Sequence, residues 1–258
     1  EIPLSPVGSE RGRRASDRLT GRTPLLPRWA LGNWWSRYHR YSQDEYRALM
    51  DRFEAEGIPL TVAVLDMDWH ITDPDPEYGS GWTGYTWNSR LFPNHRAFLE
   101  DLHRRGLRVT LNVHPRDGIR AFEDGYTEVA REMGVDPKSG RPVLFDPTDP
   151  RFVHAYLDLH HHLEAEGVDF WWLDWQQGDV TRQKGLDPLS MLNHLHWLDS
   201  GRHGRWPLTF SPYAGPRPHR SPAAVSVGTV VSGRAVQFQP QFPAPPCNLC
   251  HCHWDPPL

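Results

Sequence analysis

The sequence predicts an α/β fold, a (β/α)8 TIM barrel with a largely parallel sheet, incomplete at its carboxyl-terminal end. Three observations carry this reading. Short apolar runs alternate with amphipathic, capped segments from Arg28 to Val168, which is the mark of βα units. The 258 residues just reach the roughly 250 that one such barrel needs. Polar and acidic residues stand directly after the apolar runs, where barrel enzymes carry their chemistry.

Trp29 to Trp35 reads as a first strand. Ser42 opens a helix, with Glu45 three residues on as a capping box. Tyr46, Leu49, Met50 and Phe53 follow helical spacing and form its buried face, and Gly57 ends it. Leu60 to Leu65 is a nearly continuous apolar run, as expected of a strand covered on both faces. A polar and aromatic insertion, His70 to Pro93, follows. Asn94 caps the next helix, with Phe98, Leu99 and Leu102 inward and Gly106 as its stop. Arg108 to Val113 is the third strand, and a helix occupies part of Ile119 to Met133. Asp149-Pro150 starts a helix that Gly167 closes; Val168 to Leu173 is the fourth strand. Asp187-Pro188 starts a helix toward Leu198, with further strands at Pro207 to Phe210 and Ala223 to Val227. Beyond Gln237 the chain is rich in Pro and Cys and has no periodicity. The expected division is therefore a lead-in over 1–22, a partial barrel over 23–240 and an irregular tail over 241–258.

Hydrophobic residues make up 38%, enough for a real core. Net charge is -4, and no basic excess argues for nucleic acid or an anionic membrane surface. No apolar run approaches the ~20 residues of a membrane span. The three cysteines all fall in the last twelve residues, so the main body lacks disulfides, which fits a cytoplasmic setting. Cys247, Cys250, Cys252 and His253 have spacing that suits zinc, but they sit in the unpatterned tail. No metal and no cofactor are expected. The helical run His160-His161-His162 is expected mostly at the surface.

The chemistry-bearing positions are those just past each strand. They are Asp66, Asp68 and Trp69; then Asn112, His114 and Arg116; then Asp174, Trp175, Gln176 and Gln177; then Ser211, and last Ser226. Acids at two strand ends with Trp beside both suit glycoside chemistry, which uses two carboxyl groups flanking the anomeric carbon. Twelve tryptophans also lean toward a carbohydrate partner, since flat rings pack on the apolar faces of pyranoses. A lone carboxylate at Asp174, where an apolar strand stops, is costly to bury unless it is hydrogen-bonded or used. Capping of the next helix or bonding to the loop backbone is the alternative for it.

Trp171-Trp-Leu-Asp-Trp175 resembles the nucleophile motif of glycoside hydrolase family 31, which includes α-glucosidases and α-xylosidases. Four further blocks resemble that family in order: Thr23 to Tyr38, Asp66-Met-Asp68, Gly84 to Pro93, and Leu111-Asn-Val-His-Pro115. The resemblance implies cleavage of terminal α-glycosidic bonds with retention, on an oligosaccharide or α-glycoside. It makes Asp174 the nucleophile of a covalent glycosyl-enzyme. Asp66 would bond hydroxyls of the bound sugar and Asp68 would support that site. Trp35, Trp87 and Trp175 would line the pocket, with His114 at its edge. For Asp68 and His114, structural support and direct contact both stay open.

The departures weigh as much. Pro212 stands where relatives carry a sugar-contacting Arg after Phe210-Ser211. An ungapped reading of His219 to Thr229 puts Gly228 where the family has its acid/base Asp, and Gly233 where it has a Trp. The Ser-His-Asp block farther on is missing. The expectation is an impaired copy, slow on poor leaving groups and lacking the last two barrel strands. Two other classes remain at this point. One is a non-catalytic carbohydrate-binding relative. The other is a metal-assisted hydrolase built on His114 and the Asp residues, against which the lack of a His-x-His pair at a strand end counts.

Overall fold

The protein is seen in a computed structural model that describes residues 26–174, 181–211 and 223–225. Six strands form one sheet: β1 (Trp34–Trp35), β2 (Val62–Leu65), β3 (Arg108–Val113), β4 (Phe170–Leu173), β5 (Thr209–Ser211) and β6 (Ala223–Val225). Each strand pairs in parallel with the next in chain order. Helices α1 (Gln43–Ala55), α2 (His95–Arg104), α3 (Tyr126–Glu132), α4 (Pro150–Glu166) and α5 (Pro188–Ser200) lie in the connections from β1 to β5. Sequential parallel neighbours joined by helices are the wall of a (β/α) barrel, here open between β1 and β6 among the described residues.

Strand side chains alternate between two cores, because successive Cβ atoms leave a strand on opposite faces. One face carries Trp34, Val62, Val64, Phe170, Trp172 and Phe210, packed as a single cluster inside the curve of the sheet. Its aromatic rings interlock, with centroids 5.5 Å apart for Trp34 and Phe170, 5.2 Å for Trp34 and Phe210, and 5.1 Å for Trp172 and Phe210. The other face carries Ala63, Leu65, Val109, Leu111, Val113, Trp171 and Leu173, packed on the helices through Tyr46, Phe98, Leu102 and Phe152. Burial on both faces is why these strands read as continuous apolar runs.

The helix starts follow their local chemistry. Ser42 and Glu45 form both halves of the capping box, Asn94 accepts from the Ala97 N–H, and Asp149 and Asp187 cap helices whose first residue is Pro. Gly106, at φ 80°, turns the chain out of α2 into β3 in a conformation that other residues adopt only with strain.

Two expectations change. Most of the first strand is instead a 3-10 turn, Arg28–Leu31, and only Trp34–Trp35 pairs with β2. Pro27 sets that turn, its carbonyl accepting from Ala30, and the Trp34 indole donates to the Ala30 carbonyl. The helix expected in part of Ile119 to Met133 is there as Tyr126–Glu132, while Ile119 itself is taken by an antiparallel bridge to Val143. The second change is His160, which is fully buried rather than at the surface. Its ring stands edge-on to Trp171 at 4.3 Å, and its Nδ1 lies 2.7 Å from the Tyr156 carbonyl. Beside it the Tyr156 hydroxyl and His196 Nε2 are 2.6 Å apart.

These buried groups set a pH dependence of stability. Burial holds His160 down to about 4, and it pushes His196 well below its ordinary value. As pH falls below the ordinary His value of 6.5, the unfolded chain takes up protons that the folded protein refuses. The stability present above that value is lost progressively down to the folded values. Glu123 works in the opposite sense. Burial raises it to about 7, with Thr83 and Thr86 donating to it and partly offsetting the rise. Its contribution is full below the ordinary Glu value of 4.5 and is lost as pH rises through about 7. Glu123→Gln keeps an acceptor for the Thr83 hydroxyl and removes the buried charge. It is expected to be more stable than the parent at pH 8, with the gap closing by pH 5. A gain of about 1 kcal/mol would appear as roughly 2–4 °C in thermal melts; a variant equal to or below the parent at pH 8 would contradict this.

Candidate active site

The alternation that builds the inner core also aims the site. Val62 and Val64 face inward on β2, so Asp66 is the next inward position. Phe170 and Trp172 face inward on β4, so Asp174 follows. On β3 the outward residues are Val109, Leu111 and Val113, which leaves Thr110, Asn112 and His114 inward. The β3–β4 register pairs Asn112 with Trp172 and Val113 with Leu173, which brings His114 level with Asp174. The β2–β3 register pairs Leu65 with Leu111, which brings Asp66 level with Asn112. Asp66, Asn112, His114 and Asp174 thus converge at the carboxyl ends of three adjacent strands.

Their contacts are specific. The Asn112 side-chain N–H donates to Asp174 Oδ2 at 3.2 Å, and His114 Nε2 approaches the same oxygen at 3.6 Å. Asn112 is 0% exposed and His114 2%, while the Asp174 side chain keeps 15% of its surface. Asp66 is part-buried, and its carboxylate accepts from the Met67 N–H at 2.8 Å. Burial pushes the Asp66 carboxyl up to about 7; the Met67 hydrogen bond opposes the rise, and the neighbouring Asp174 and Asp68 charges add to it. A carboxyl that titrates near neutrality can either donate to or accept from a sugar hydroxyl. Asp68 accepts from the Thr72 hydroxyl at 3.0 Å, so it braces the turn after β2.

Two of the expected pocket tryptophans lie elsewhere. Trp35 faces the helices, its ring 4.9 Å from that of Phe53 on α1. Trp87 also belongs to the helix-side core: it stacks on His95 at 4.9 Å, and its indole donates to Glu166 at 3.1 Å. Trp175, Gly228 and the Cys247–His253 group lie outside the described residues. Among the described residues, no three or more His, Cys, Asp or Glu side chains are grouped to hold a metal ion, and no helix is long and apolar enough to cross a membrane.

Two participants stand outside the expected set of site residues. The sequence marks Asn112 only as polar at a strand end; counting back two residues from His114 puts it on the same face. Trp82 stands edge-on to the His114 ring at 4.8 Å and remains only part-buried, an aromatic wall at the mouth of the site. Its signal is a Trp set between Gly81 and Gly84 in the insertion after β2.

The chain has counterparts among known proteins. A family model described as the glycosyl hydrolases family 31 TIM-barrel domain matches residues 23–203. The chain belongs to glycoside hydrolase family 31. An alpha-glucosidase 2 of Bacillus thermoamyloliquefaciens is 37% identical over 177 residues, covering 64% of this chain and 21% of that protein. An alpha-xylosidase of Saccharolobus solfataricus is 30% identical over 167 residues, 61% of this chain and 20% of its own length. The chain thus spans about a fifth of these curated relatives. Among solved structures, the GH31 alpha-xylosidase of Xanthomonas citri superposes with a TM-score of 0.60 at 20% identity, covering 82% of this chain and 26% of that one. A cycloalternan-degrading enzyme of Trueperella pyogenes, solved with a covalent intermediate, gives 0.56 at 17% identity over 80% of this chain and 34% of its own. These likenesses fix the family 31 barrel as the fold, and the strand-end acids lie on its catalytic side.

Proposed function

We propose that this family 31 chain carries the glycone-binding and nucleophile half of a retaining α-glycosidase site, acting on α-glucosides or α-xylosides. The observation that carries the reading is the convergence of Asp174 and Asp66 on one inward face, with Asn112 bonded to Asp174. Asp174 attacks the anomeric carbon as the bond to the leaving oxygen breaks, giving a glycosyl-enzyme ester. Water then attacks the same carbon and releases Asp174. Two inversions give net retention. Asp66 holds sugar hydroxyls through both steps. The named relatives, alpha-glucosidases and alpha-xylosidases, support the substrate class, and the covalent intermediate of the Trueperella enzyme supports the two-step course.

Gly228, at the family's acid/base position, supports an impairment confined to leaving groups that need a proton. A 4-nitrophenyl α-glycoside leaves as a stable phenolate, whereas a disaccharide leaves as a sugar alkoxide. The expected result is turnover of 4-nitrophenyl α-glucoside or α-xyloside with the α-anomer formed first, seen by proton NMR before mutarotation. Disaccharides are expected to lag by a further factor of about 10²–10⁴, the usual contribution of a general acid. Initial release of the β-anomer would sink the retaining assignment. Saturable sugar binding with no turnover of either substrate would favour the non-catalytic alternative, which the Gly at 228 keeps in view.

A further inference from the structure

We propose that Asn112 and His114 form a two-point clamp on one oxygen of the nucleophile, Oδ2 of Asp174, and so position it for attack on the sugar. The inference deepens the functional reading above and rests on it. It reassigns His114 from the edge of the sugar pocket to the positioning of Asp174.

The clamp follows from chemistry that the fold imposes. An ionised carboxylate only accepts hydrogen bonds, so Asn112 must present its N–H₂ to Asp174, as it does at 3.2 Å. His114 approaches the same Oδ2 with Nε2 at 3.6 Å. That separation is longer than a formed hydrogen bond, yet catalytic contacts in unliganded sites are commonly long and tighten when substrate binds. The ring of His114 is 2% exposed and seated edge-on against Trp82 at 4.8 Å and His70 at 6.4 Å. Its other nitrogen, Nδ1, has no hydrogen-bond partner among the described residues. A neutral imidazole has one ring proton, and here only Nε2 has an acceptor to offer it to. His114 is therefore the Nε2–H tautomer, with its proton directed at Asp174.

The neighbouring His70 points the same way. Its Nδ1 lies 3.2 Å from the Ile71 carbonyl, which can only accept, so Nδ1 carries the proton there. Burial holds His70 down to about 3, so it stands beside His114 as an uncharged ring. Both anchors come from one rigid element: Asn112 ends inside β3 and His114 follows it two residues later, and β3 is hydrogen-bonded to β2 and β4. A carboxylate anchored at one oxygen loses its free rotation. A misplacement of about 1 Å at such a site can cost ~10²-fold in rate.

The test has two arms on the intact chain. In the first, protein labelled with ¹⁵N-histidine is read by long-range ¹H–¹⁵N spectra at pH 7, with His114 assigned by its loss in His114→Gln. The expected pattern is the Nε2–H tautomer, and it should be lost or mixed in Asp174→Ala. An Nδ1–H tautomer, or a pattern indifferent to Asp174→Ala, would overturn the clamp. This arm needs no turnover, so it decides the inference even if the protein proves inactive and the functional reading fails. In the second, Asn112→Ala and His114→Ala are compared by stopped-flow on 4-nitrophenyl α-glycosides. Each is expected to lower the rate of glycosyl-enzyme formation by about 10²-fold with KM little changed. His114→Gln, which keeps an N–H donor, is expected to recover part of that loss. If His114→Ala instead raises KM at unchanged kcat, His114 touches the sugar and the clamp is wrong. Thermal melts of each variant separate misfolding from mispositioning.

Discussion

Asp174→Asn is expected to lower kcat/KM for an activated aryl α-glycoside by about 10⁴-fold or more, the scale on which removal of a covalent nucleophile is felt elsewhere. The substitution is nearly isosteric, so the fold should survive it. The Asn112 N–H can still donate to the new carbonyl oxygen, and Trp172 and Leu173 beneath it are untouched. What disappears is the charge and with it the ester. Intact-protein mass spectrometry after incubation with a fluorinated glycosyl fluoride should show one added glycosyl group on the parent and none on the variant. A second readout follows from the electrostatics. The Asp174 charge is among the causes that hold Asp66 up near 7, after burial itself. With the charge removed, the Asp66 carboxyl should titrate lower, visible in carboxyl ¹³C shifts against pH. A variant that keeps activity within tenfold of the parent would remove Asp174 from the chemistry.

The strands and caps of this fold are legible in the sequence because each is decided locally. Arg108 to Val113 stands as read, since its bounds are marked by Gly106 before it and His114 after it. The caps at Ser42, Asn94, Asp149 and Asp187 are legible for the same reason: an acceptor side chain before a helical pattern has a direct use for the unpaired N–H groups there. Asp66 and Asp174 are legible as residues that break apolar runs.

What is not legible depends on which face a residue takes, and that is fixed by partners far along the chain. Trp34 and Trp35 are adjacent and alike in sequence. Only the pairing of Trp35 with Ala63, whose own side chain lies in the helix-side core, sends Trp35 outward and Trp34 into the barrel. Trp87 sits in a block shared with the family, but its indole is held by Glu166, 79 residues on. His160 looks like one of three surface histidines until Trp171 and Tyr156 close over it. Asn112 shows the converse. Its place beside Asp174 can be found by counting two back from His114, because β3 keeps a strict alternation.

Gly228→Asp is expected to raise hydrolysis of an α-linked disaccharide by about 10²–10⁴-fold while changing release of 4-nitrophenol far less. The asymmetry is the point of the experiment. A sugar alkoxide is a poor leaving group and needs a proton as the bond breaks; a nitrophenolate does not. A carboxyl acting opposite a nucleophile at ~5–5.5 Å would supply that proton and then, as a carboxylate, draw one from the water that attacks the ester. Gly228→Asn is the matched control, similar in size but unable to exchange a proton, and it should give no gain. Azide offers an independent check on the parent. Being an anion, it attacks the glycosyl-enzyme without a general base, so it should speed turnover of the aryl glycoside and give the α-glycosyl azide. The same addition should do little to the Gly228→Asp variant, whose new carboxylate already activates water. Equal rates for the Asp and Asn variants, or no azide effect on the parent, would mean that position 228 is not an acid/base position in this protein. Pro212, which the resemblance sets where relatives carry a sugar-contacting Arg, would remain in the variant. A gain near the low end of the range would then locate the rest of the deficit in binding of the transition state rather than in proton transfer, and Pro212→Arg added to Gly228→Asp would be the change expected to recover it.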